Sequence, residues 1–154
     1  MEERKYYPTE LIDLFLGYQL EVYVPSKGFV QGEFPEILYD HKDLDQFSDV
    51  HQKAAHAVIR TKYLDKEDIE SLGWRIKTDR HSRASFEWPD PKNLDSFRDF
   101  YGYYCWGLYL TYYGDGACTI EAKFSSDHPE VIFDGEIKSV NELKTIMRFL
   151  KIGG

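Results

Sequence analysis

Apolar and polar positions change period several times along the chain, and each change predicts an element. Thr9 is placed to cap a short helix over Glu10 to Leu16, with Gly17 as its stop. Leu20, Val22 and Val24 then alternate with Glu21 and Tyr23, the pattern of a half-buried strand, which Pro25 ends. After a Lys27-Gly28 turn, Phe29 to Tyr39 reads as extended but is interrupted by Pro35, so it is an edge strand or irregular. From His41 to Arg60 the apolar positions Leu44, Phe47, Val50, Ala54, Ala57 and Val58 fall near the helical period.

Asp65-x-x-Asp68 approximates a capping box and predicts a short helix that stops at Gly73. Trp74 to Lys77 and Ala84 to Trp88 alternate around a polar loop from Thr78 to Arg83, so they predict a hairpin. Asn93 is placed to cap a helical turn through Phe97 and Phe100. Trp106 to Tyr113 and Ala117 to Phe124 flank Gly114-Asp115-Gly116, a second hairpin signal, and Val131 to Ile137 adds a strand. Finally, Ser139-x-x-Glu142 caps a helix whose Val140, Leu143, Ile146, Met147 and Leu150 form one apolar stripe. Together these elements predict a single α+β domain over residues 1–154. Its mostly antiparallel sheet carries a C-terminal helix packed on one face, and its N-terminal part, up to a soft boundary near Lys62, is more helical.

Charge changes this picture more than length does. Over 154 residues, 27 Asp and Glu oppose 19 Lys and Arg, for a net charge of −8. A negative field repels phosphate backbones, so direct DNA binding is not expected, and basic partners are favoured. The acids concentrate in one stretch: Glu33, Glu36, Asp40, Asp43, Asp45 and Asp49 stand against Lys42 alone. No apolar run reaches the ~20 residues a membrane helix needs, and Met1 to Lys5 lacks the apolar core of a signal peptide. With only Cys105 and Cys118, and no Cys-x-x-Cys motif, the expectation is a cytoplasmic protein with free thiols.

The motifs of common chemistries do not occur. His51 and His56, five apart, point to different sides of a helix, and the run from Asp40 to His51 lacks the order and closing Glu of a calcium loop. No metal or other cofactor is therefore expected. Gly114-Asp115-Gly116 has no following lysine to make it a phosphate loop, and no Gly-x-Ser-x-Gly elbow is present. Cys105 lies between Tyr104 and Trp106, an inert apolar setting, whereas Cys118 just after a turn is expected to be more exposed. Arg75, Lys77, Arg80, His81 and Arg83 read as a solvated strand face and loop. The densest feature is aromatic: nine of the chain's 25 rings lie between Phe97 and Tyr113. Alternation puts Trp106, Leu108, Leu110 and Tyr112 on one face and Tyr109, Thr111 and Tyr113 on the other. That second face is either covered by a helix or offered to a partner.

Asp65-Lys66-Glu67-Asp68-Ile69-Glu70-Ser71-Leu72-Gly73-Trp74, followed by strands and by Phe133-Asp134-Gly135-Glu136-Ile137-Lys138-Ser139-Val140-Asn141-Glu142-Leu143-Lys144, resembles small phage and prophage accessory proteins of Bacteroidetes-type bacteria. The resemblance covers about Tyr63 to Ile152 and carries no functional residues. It implies a protein that inhibits host defence, such as a CRISPR effector, by occupying a basic nucleic-acid channel in the host cytoplasm. The leading expectation is thus a non-enzymatic acidic inhibitor of a basic host protein that handles nucleic acids. Its contacts are expected at Glu33, Glu36, Asp40, Asp43, Asp45, Asp49, Tyr109 and Tyr113. A metal-dependent nucleotide- or nucleic-acid-processing enzyme, and a self-assembling regulatory domain such as a homodimer, remain as alternatives.

Overall fold

The computed structural model describes residues 6–9, 17–41, 44, 47, 49–80, 83–90, 94–102, 104–124 and 128–153, with the backbone alone at 51 and 96. The expected helix over Glu10 to Leu16 and the cap at Asn93 lie outside these residues. The chain divides into two compact units, Met1–Tyr63 and Leu64–Gly154.

The first unit corrects the expectation of a more helical N-terminal part. Its main feature is a four-stranded antiparallel sheet of β1 (Tyr6–Pro8), β2 (Gln19–Val24), β3 (Gly28–Glu33) and β4 (Ile59–Lys62), in the order β1-β4-β2-β3. Among the described residues two short helices accompany it, α1 (Glu36–Tyr39) and α2 (Val50–His56). Of the helical period expected from His41 to Arg60, only Val50 to His56 forms an α-helix among the described residues. Ile59 to Lys62 instead pairs with β1 and β2, partners up to some fifty positions away, which local periodicity does not register. Phe29 to Tyr39 likewise splits at Pro35 into β3 and α1. Leu20 and Val22 point into a core with Tyr18, Phe34, Ile37, Leu38, Leu44 and Ala54. At its margin the Tyr18 hydroxyl hydrogen-bonds those of Tyr7 (3.4 Å) and Thr61 (3.2 Å), and Thr61 bonds Thr9, so these polar groups are satisfied within the fold.

The second unit is a five-stranded antiparallel sheet in sequential order: β5 (Arg75–Arg80), β6 (Arg83–Glu87), β7 (Gly107–Tyr112), β8 (Ala117–Lys123) and β9 (Glu130–Glu136). Helices α3 (Lys66–Ser71), α4 (Asp95–Tyr101) and α5 (Val140–Phe149) complete it. Both halves of the capping box form at α3: Asp65 accepts from the Asp68 N–H (2.9 Å) and Asp68 from the Asp65 N–H (3.2 Å). At α5, Ser139 Oγ accepts from the Glu142 N–H, while Glu142 reaches one residue further back, to the N–H of Lys138 (2.6 Å). Phe86, Leu108, Leu110, Cys118, Ile120 and Ala122 all point to one side of the sheet. Ile69, Phe97, Val140, Leu143 and Met147 join them in one core, so the three helices share that side. Trp106 departs from expectation. It precedes β7 and is exposed rather than inward with Leu108.

Candidate interaction surface

β3 is an edge strand, and its alternation leaves Glu33 exposed at its end. The chain turns through Phe34 and Pro35 and winds into the single turn of α1, where Ile37 and Leu38 are buried and Glu36, Tyr39 and Asp40 are exposed. Such a short helix holds its shape only through packing. Here the packing is close. A β-carbon at Gly32 would lie 2.8 Å from Ile37 Cδ1, so β3 and α1 approach as only glycine allows. On the other side buried Lys53 of α2 donates to the Leu38 carbonyl (3.3 Å) and lies 4.7 Å from the Tyr39 ring centroid, a cation–π contact. Tyr39 is 54% exposed. An aromatic ring seated on a cation is thus presented on the same turn as Glu36 and Asp40, with Glu33 just before it.

The sequence-predicted residues divide between the units. Glu33, Glu36, Asp40 and Asp49 belong to the first and are exposed, whereas Tyr109 and Tyr113 belong to the second. Asp43 and Asp45 lie outside the described residues. Asp49 has a local task, accepting from the Gln52 N–H (3.3 Å) at the start of α2. Tyr113 closes the β7–β8 hairpin, where its N–H donates to the Ala117 carbonyl. Tyr109 is half-buried on the sheet side opposite the unit's helices, and no helix among the described residues of this unit covers it. Its ring lies along the strand over Gly107, where a β-carbon would come within 2.5 Å of the hydroxyl, and the Lys77 ammonium lies 5.3 Å from its centroid. The aromatic partner of the acids that sequence reasoning missed is Tyr39, hidden by reading its segment as extended. The signal was available: Ile37-Leu38 flanked by Glu36 and Tyr39 after a proline suits a helical turn.

The remaining chemistry is subdued. Among the described residues no three His, Cys, Asp or Glu side chains converge on a metal-sized site. Burial pushes the Cys105 thiol up from its ordinary value, and burial with the Asp115 carboxylate pushes Cys118 up to about 12. Cys118 is 1% exposed, contrary to the expectation of an accessible thiol, because the second residue of β8 faces the core. No helix among the described residues is long and apolar enough to cross a membrane. Compared with protein-family models, curated proteins and solved structures, the chain has no match.

Proposed function

We propose that the protein is a non-enzymatic binding module that engages a basic protein through Glu33, Glu36, Tyr39 and Asp40. The observation that carries this reading is an exposed aromatic ring joined to the Glu36 and Asp40 carboxylates on one well-anchored turn, with Glu33 at the end of the strand just before it. Carboxylates steer a cationic surface into place, and a desolvated aromatic ring slows its departure. A site fixed before binding also loses less entropy on association. Proteins that handle nucleic acids offer the extended basic grooves that suit such a patch, and the acid excess of the chain favours them over nucleic acid itself. Inhibition of a host defence enzyme, the role implied by the resemblance to phage accessory proteins, is the specific form of this reading.

The test compares immobilised wild-type protein, E33K/E36K/D40K and Y39A, each shown by circular dichroism to be folded, as baits in the same bacterial extract. A basic protein held by the wild type, released by salt and lost from both variants is the expected result. Equal retention by all three baits would reject the surface.

A further inference from the structure

At the C-terminal end of α5, on the helix-bearing side of the second unit, is an open pocket of about 480 Å³. Its apolar wall is made by Trp88, Met147 and Ile152, and its rim by Lys144, Arg148 and Lys151. We propose that this pocket binds a small aromatic organic anion, with its ring system against Trp88 and its acidic group among the three cations. This goes beyond the acidic surface of the first unit and does not depend on it.

The wall is fixed in advance. Trp88 meets the edge of Trp74 with ring centroids 5.3 Å apart, and the Trp74 indole N–H donates to Met147 Sδ (3.4 Å). Gly73 and Gly153, both at positive φ, close on the same Trp88 ring: a β-carbon would come within 3.0 Å of it at Gly73 and 3.3 Å at Gly153. A ring held in this way offers a flat surface without first having to be ordered. The volume suits a body of one or two rings, since pockets for small molecules begin at roughly 300 Å³.

The rim is arranged against the local interest of the fold. Lys144 and Arg148 are four apart on α5, so two like charges stack on one side of the helix, which disfavours it, and Lys151 just past the helix end brings a third to the same pocket. None of the three makes an ion pair among the described residues, although the chain has an excess of acids. Lys151 also occupies the left-handed region (φ 63°), the position after a helix that glycine favours. The Ile152 N–H donating to the Met147 carbonyl (2.8 Å) and the Lys151 N–H to Arg148 (3.2 Å) complete the helix stop around it. Complementing the helix dipole accounts for cations in the last turn, but not for Lys144, which lies a turn earlier. An anion at the pocket mouth accounts for all three.

The experiment titrates the full chain with 1-naphthoate and, separately, with the neutral 1-naphthamide, following the tryptophan indole N–H signals by NMR. The Trp88 signal is identified from Trp88→Phe. Naphthoate should shift Trp88 saturably, with a Kd on the order of 0.1 mM, and naphthamide should bind about threefold to tenfold more weakly. Lys151→Gly should raise the melting temperature by relieving the left-handed residue yet weaken naphthoate binding severalfold. If Lys144 and Lys151 served only the helix, Lys151→Gly would leave naphthoate binding unchanged. That result, equal binding of acid and amide, or a Trp88 signal that does not respond would overturn the proposal.

Discussion

Gly107 and Tyr109 show how much one missing β-carbon decides. The Tyr109 ring occupies the space that a side chain at 107 would need. Gly107→Ala is therefore expected to cost about 1 kcal/mol, at the low end for overpacking because the obstacle is the far end of a half-buried side chain. In a Tyr109→Ala background the same change should cost far less, and denaturant melts of the four proteins give the coupling directly. Near-equal costs in both backgrounds would mean that the ring does not need the glycine. Cys118 supplies a second residue-scale prediction. Its folded pKa of about 12 lies above the ordinary 9 of an unfolded thiol, so the unfolded state loses its proton first as pH rises. The contribution is complete below pH 9 and is lost progressively between 9 and about 12, by up to about 1.4 kcal/mol per pH unit. Stability of the wild type should thus fall more steeply across that window than stability of Cys118→Ala. Parallel profiles would contradict the burial of this thiol.

Among the elements, α5 was the most legible in the sequence, because its cap and its apolar stripe are local signals that agree. Leu143 is fully buried, and Leu143→Ala is expected to lower stability by about 2–5 kcal/mol in a chemical melt. Loss of the Ser139 cap by Ser139→Ala should cost about 1 kcal/mol, and a null effect in the same assay would show that Glu142 alone holds the helix start. The hairpin around Gly114 to Gly116 was equally readable, whereas in the first hairpin Thr78 to Arg80 and Arg83, expected as a loop, continue β5 and β6. The first unit was less readable. β4 exists because Ile59 and Arg60 pair with Val22 and Glu21, and because Arg60 forms an ion pair with Glu21 (3.2 Å) while lying 3.8 Å from the Tyr6 ring and 3.7 Å from the Phe29 ring. All of these partners lie at least thirty positions away. A run of helical period that ends in a strand is decided by such distant contacts rather than by its own pattern. The candidate surface suffered likewise: the acids were visible as composition, but the ring beside them depended on how the chain turns at Pro35.

Taken whole, the molecule is two antiparallel sheet units, each with its own core, in one strongly acidic chain. Glu33, Glu36 and Asp40 stand exposed around Tyr39 on the first unit, and Lys144, Arg148 and Lys151, without ion pairs among the described residues, line a pocket of the second. In the proposed function the first of these surfaces acts by charge and by one ring, two contributions that differ in their response to salt. Coulomb steering is screened as the Debye length shrinks, whereas apolar burial is not. The most direct measurement is the association rate of the captured basic protein with wild type and with E33K/E36K/D40K, from about 0.05 to 0.5 M salt. The wild-type rate should fall by roughly tenfold or more across that range, while the variant should associate slowly throughout with little dependence on salt. Rates that are the same for both proteins at every salt concentration would contradict the account.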